Sequence, residues 1–134
     1  MNLKATVIVL LAGLLLAAGC GRSGGPTLAP VSGTVTYNGQ PLEQGTIIFH
    51  PPKGRPSHGK IENGKITEVT TLDPGDGAVV GPNQVAIQSV ERSTDINTPS
   101  KLLIPQRYGN PKESGLTAEV KEGQANEFTF ELED

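Results

Sequence analysis

Sulfur and rings are scarce in this chain. Its 134 residues include one Cys, one Met, no Trp, two Tyr and three Phe. A single thiol cannot form an internal disulfide, so no cystine framework holds the fold. Missing Cys pairs also exclude the usual structural zinc sites, and no HExxH is present. Only two histidines occur, His50 and His58. The one Gly-x-Ser-x-Gly string, Gly21 to Gly25, falls in a Gly- and Ser-rich stretch and not between a strand and a helix, so it makes no nucleophile elbow, and no other nucleophile signature is found. Sugar recognition by ring stacking is poorly supplied without Trp. Clustered positive charge is lacking too: 11 Lys and Arg against 14 Asp and Glu give a net charge of −3. That balance argues against a nucleic-acid partner, which needs clustered positive charge. Helical periodicity is absent from the chain after residue 30. No internal repeat is visible.

What is present divides the chain into three parts. Lys4 gives a short positive start, and residues 5–18 are apolar or small apart from Thr6. As a helix this run would rise only about 21 Å. A hydrocarbon core of about 30 Å needs roughly 20 residues, so a cleaved leader fits better than a permanent span. The run ends in Leu16, Ala17, Ala18 and Gly19, followed by Cys20, the lone cysteine. Residues 22–30 are rich in Gly, Ser and Pro and read as a flexible tether.

From Val31 onward, period-two alternation recurs between turn residues. Val31, Gly33, Val35 and Tyr37 share a face, and Asn38-Gly39 turns the chain. Pro41 is expected to delay renewed pairing. Gly45–His50 forms a second strand with Ile47 and Phe49 on one side. Pro51–Pro56 breaks the pattern. Lys60–Ile61 and Lys65–Thr70 flank a second turn, Asn63-Gly64. Residues 72–82 form a loop, and Gln84–Val90 resumes alternation. Residues 92–108 form a long polar connection, with Leu102, Leu103 and Ile104 pinning its end to the core. Gly115–Val120 and Glu127–Leu132 complete the set, the latter with Phe128, Phe130 and Leu132 inward. About seven short strands at this spacing predict an all-β chain, an antiparallel β-sandwich whose layers bury their apolar faces together.

Two resemblances add to this reading. Leu16-Ala17-Ala18-Gly19-Cys20 resembles a lipobox, the cleavage and acylation signal of bacterial lipoproteins. It implies a signal peptide over 1–19, diacylglycerol on the Cys20 sulfur and an amide-linked third chain. One acyl chain anchors only marginally, whereas two or three hold firmly. Gly21 stands where Asp would favour retention in the inner membrane, which leans toward the outer membrane. Lys4 is the only charge in the leader, so the mature chain would be one unit more acidic.

The second resemblance runs from about Pro30 to the C terminus. The opening Val31-Ser32-Gly33-Thr34-Val35, Asn38-Gly39-Gln40-Pro41-Leu42 and Gly45-Thr46-Ile47-Ile48-Phe49 is similar to transthyretin-like, carboxypeptidase-regulatory-like domains. The ordered set Pro74-Gly75-Asp76-Gly77, Gln84-Val85-Ala86-Ile87, Ile104-Pro105-Gln106-Arg107-Tyr108 and Ser114-Gly115-Leu116 is similar to small planctomycete lipoproteins that carry such a domain. This implies a sandwich over 30–134 after an acylated tether over 20–29, with no catalytic residues and no cofactor. The expectation is a non-enzymatic, lipid-anchored module that meets an envelope protein or polymer.

Other constellations are weaker. His50 and His58 would need further ligands to hold a metal. Asp73, Asp76 and Asn83 invite a calcium reading, and so a small-ligand or calcium-binding alternative, but the spacing is not that of an EF-hand. Turn chemistry explains them more simply. Ser57 and His58 are adjacent in sequence, which is not how a catalytic pair is arranged. Lys53, Arg55, Lys60 and Lys65 make the middle of the chain basic, a face that could rest on anionic headgroups or stay solvated. Glu119, Glu122, Glu127, Glu131, Glu133 and Asp134 make the end acidic.

Overall fold

The computed structural model describes residues 25–134. Twelve strands and one 3₁₀ turn make up these residues, and the seven longest strands carry the architecture. Short β1 (Leu28–Ala29) precedes β2 (Val31–Tyr37) and β3 (Gln40–Pro41). Then come β4 (Gln44–His50), β5 (Ser57–Glu62), β6 (Lys65–Thr70) and the two-residue β7 (Ala78–Val79). β8 (Gly81–Gln88) leads to a ribbon of β9 (Val90–Glu91) and β10 (Lys101–Leu102). The 3₁₀ turn Gln106–Gly109, β11 (Leu116–Val120) and β12 (Asn126–Leu132) end the chain.

The main strands lie in the order β11-β8-β4-β5-β6-β2-β12. The expected all-β, sandwich-like class is what is found, with two refinements. The layers are halves of one continuous sheet folded over on itself. Phe49 on β4 meets Phe128 on β12 with ring centroids 6.4 Å apart, although three strands separate theirs in the sheet. Pairing is antiparallel except between β2 and β12, which run parallel from Val31↔Asn126 to Tyr37↔Leu132. Alternation of apolar residues shows which face is buried but carries no information on strand direction.

Between the halves lie Val35, Ile47, Phe49, Ile61, Val85 and Ile87, all 1 % exposed or less. Fully burying such side chains contributes roughly 1.5–3 kcal/mol each. Phe128 and Phe130 stack at 6.1 Å to extend this core along β12. Few rings are needed because branched aliphatics at every second position fill the space.

Both expected hairpin tips form. Asn38 and Gly39, and Asn63 and Gly64, all have positive φ, as a two-residue turn between twisted strands demands. Pairing resumes at once past the first tip, contrary to the expectation from Pro41. Tyr37 faces Gln40 and Thr36 faces Pro41, and the next bond is Leu42 N–H to Val35 C=O at 3.0 Å. Pro41 thus falls at a position whose N–H the ladder does not use.

β6 contains a bulge, with Glu68 at φ 52° and the register shifting opposite Gly59. Thr70 Oγ1 donates to the Glu68 carbonyl at 3.0 Å, which holds that carbonyl in the unusual conformation. Residues 27–29, read as tether, belong to the body. β1 pairs with β7, Val80 N–H donates to Thr27 C=O at 2.9 Å, and Ala29 is buried. Residues 72–82 accordingly form more than a loop, since β7 lies within them and β8 begins at Gly81.

Candidate functional site

Register fixes which loops share an end. At one end lie the start of β2, the β4–β5 connection (51–56), the β6–β8 connection (71–80) and the β11–β12 turn (121–125). The described chain also begins here, with Gly25 beside Leu72. At the other end lie both two-residue turns, residues 89–115 and the C terminus.

The entry end is built around Asp76. Its carboxylate accepts Thr71 N–H at 2.6 Å, Leu72 N–H at 2.9 Å and Asp73 N–H at 2.8 Å. Burial pulls this carboxyl up, but the amides of Asp73, Thr71 and Leu72 outweigh it and hold the group below the usual 3.8. Both oxygens are therefore engaged by amides, which is turn chemistry. Gly77 has φ 97°, and a Cβ there would lie 1.9 Å from the Ala29 carbonyl oxygen, so only glycine lets this loop close on β1. Asn83 does not join the aspartates. Its Nδ2 donates to Val79 and Gly81 carbonyls at 2.9 and 3.0 Å, inside the fold.

Other candidates separate in space. Ser57 is enclosed, and its hydroxyl pairs with Thr71 Oγ1 at 2.6 Å, while Thr71 Oγ1 donates to Gly77 C=O at 2.7 Å. His58 projects to the opposite, exposed face, so the two cannot act as nucleophile and base. His50 and His58 do share that outer face, on neighbouring strands. Burial and the nearby His58 lower the His50 pKa. No group of three or more His, Cys, Asp or Glu is placed to hold a metal among the described residues.

The four basic residues do not form one face. Lys53 and Arg55 sit in the entry-end connection, Lys65 starts β6 at the far end, and Lys60 pairs with Glu68 at 2.8 Å. Cys20 and the motif Leu16, Ala17, Ala18 and Gly19 lie outside the described residues. No helix among the described residues is long and apolar enough to cross a membrane.

The far end holds a feature that sequence reasoning missed. A cleft of about 670 Å³ is lined by Gln88, Leu102, Ile104, Arg107, Asn110 and Glu113, among others. One wall is the 3₁₀ turn, clamped at both ends. Tyr108 is buried, and its hydroxyl donates to the Glu133 carbonyl and accepts the Glu133 N–H, each at 3.0 Å. Arg107 stacks 4.6 Å above the Tyr108 ring and donates to the same carbonyl at 2.8 Å. Ser114 donates its hydroxyl to the Val85 carbonyl. These bonds tie β12 and β8 to one segment.

Above the cleft stands the β9–β10 ribbon. It carries residues 92–100, all exposed, with Ile96 at 98 %. Leu102 is half exposed and lines the cleft, so Ile104 is the residue that anchors this segment in the core. The Ile104-Pro105-Gln106-Arg107-Tyr108 string, noted in the sequence only as part of a resemblance, is the segment that forms the clamp. Neither a protein-family model, nor a curated protein, nor a solved structure significantly matches this chain.

Proposed function

We propose that this protein is a lipid-anchored, non-enzymatic module of the cell envelope that holds its far end out to an envelope protein or polymer. The observation that supports this most is the division of labour between the ends. The N-terminal chain enters at one, while the cleft and the exposed 92–100 segment lie at the other. With lipid on Cys20, the five residues to Gly25 span at most about 18 Å. The entry end would then stay close to the bilayer and the cleft would face away. Lys53 and Arg55, in the entry-end connection, suit an anionic surface. The resemblance to small lipoproteins supports the anchor, and Gly21 in place of Asp favours the outer membrane.

A second reading is a small ligand held in the cleft, whose volume falls within the usual range for such sites. Gln88, Asn110 and Glu113 would supply its polar contacts. The calcium version has less support, because amides already engage both oxygens of Asp76.

Mass spectrometry of the native N terminus tests the anchor. The expected product starts at Cys20 and carries diacylglycerol on its sulfur. Cys20→Ala should leave the leader uncut or the protein released from membranes. A native protein with a free Cys20 thiol, recovered in the soluble fraction, would refute the proposal.

A further inference from the structure

β12 is an edge strand with an unused half. Seven residues long, it pairs with β2 alone among the described residues. In a strand, the N–H and C=O of successive residues point to alternate sides. Asn126 N–H bonds Pro30 C=O, and Leu132 C=O accepts Asn38 N–H, so the even-numbered residues of β12 face β2. Glu127, Thr129, Glu131 and Glu133 therefore present their backbone groups to the open side. Tyr108 takes up those of Glu133. The N–H and C=O of Glu127, Thr129 and Glu131 remain as an open ladder.

The side chains along that ladder alternate. Glu127, Thr129 and Glu131 point outward and are exposed. The only ion pair among the described residues is Lys60–Glu68, so neither glutamate is neutralised. Phe128 and Phe130 point inward; Phe130 is buried, and Phe128 is partly buried against the core beside Phe49 and Phe130.

We propose that β12 accepts an extended segment of a partner protein by strand addition, and that this segment alternates basic and apolar residues. Backbone bonds would supply affinity and the alternating side chains specificity. The fitting pattern is basic, apolar, polar, apolar, basic. Its basic residues face Glu127 and Glu131, and its apolar ones flank Phe128 and Phe130. A second copy of this chain is the wrong occupant. Antiparallel self-pairing centred on Thr129 would set Glu127 of each copy opposite Glu131 of the other, and like charges directly opposite are destabilising. The glutamates thus block self-association, a common way of protecting an open edge. The inference does not depend on the lipid anchor.

The test uses full-length protein in neutral detergent micelles and a fluorescein-labelled peptide, Thr-Lys-Val-Thr-Val-Lys-Thr, read by anisotropy. The core pattern is symmetric, so it fits either strand direction. A matched peptide with Glu in place of both Lys is the control. The expected result is saturable binding of the basic peptide and at least about tenfold weaker binding of the acidic one. Glu127→Lys with Glu131→Lys should invert that preference. Both side chains are exposed, so the fold should survive, as an unchanged melting temperature would verify. Thr129→Pro removes one open N–H, spares the backbone ladder to β2 while losing only the long Thr34–Thr129 hydroxyl contact at 3.4 Å, and should abolish binding. Equal binding of both peptides, no binding of either, or a preference unmoved by charge reversal would overturn the proposal. So would a wild-type dimer that Thr129→Pro dissociates.

Discussion

Replacing Asp76 with Asn separates turn chemistry from metal binding by one atom. The wild-type carboxylate serves three amides, one on Oδ1 and two on Oδ2. An asparagine keeps one acceptor oxygen. Its better orientation keeps Leu72 and Asp73 and turns an NH₂ toward the Thr71 N–H, on a residue that is 6 % exposed. The loss is one orphaned donor plus charge assistance on the other two bonds, about 2 kcal/mol in all. For a domain of this size that lowers the melting temperature by roughly 8 °C. The sign of the pH dependence follows from the depressed pKa. The contribution is fully present above the unfolded value near 3.8 and is lost as pH falls through the lower folded value. Urea titrations of both proteins at neutral pH and through the range below about pH 4 measure the gap. It should narrow as Asp76 protonates. Millimolar calcium should leave the wild-type melting temperature unchanged. A gap under about 0.5 kcal/mol at neutral pH, a gap constant to the lowest pH, or stabilisation by calcium would refute the account.

Tyr108→Phe keeps the buried ring and removes the hydroxyl that joins the 3₁₀ turn to Glu133. The expected cost is about 1–3 kcal/mol in chemical denaturation, with faster amide exchange at Glu133, whose N–H loses its partner. Lys60→Ala should leave the urea midpoint unchanged in the same assay, because the Lys60–Glu68 pair is exposed on both sides and screened by solvent.

The sequence was most legible where one residue type has one job. Asn-Gly at 38–39 and 63–64 marked hairpin tips, and alternation in Val31–Tyr37 and Glu127–Leu132 marked the buried faces. Alternation is a local signal, which is why it did not show that these two strands are parallel neighbours. The contribution of residues 27–29 was hidden in a stretch whose composition is that of a linker. Its two-residue strand gains its place only through β7 and the close approach at Gly77. Ser57 and His58, set aside as a catalytic pair because they are adjacent in the chain, project to opposite faces of a strand, as period-two geometry requires. Of the far-end cleft, only the string at 104–108 could be read. Its walls come from residues 87–90 and 102–113, joined by bonds such as Leu103 N–H to Ser89 C=O and the Ser114 hydroxyl to Val85 C=O, and nothing in either segment names the other.

The pairing of β2 with β12 sets the timing of folding. The first long strand waits for a partner supplied by the last seven-residue strand of the chain. Until synthesis has passed residue 132, the nascent polypeptide lacks one border of its sheet and the rings of Phe128 and Phe130 that line it. Such a topology joins distant parts of the sequence late and slowly. A fragment truncated before residue 126 would leave β2 bare along one side, an aggregation-prone species rather than a smaller version of the same protein.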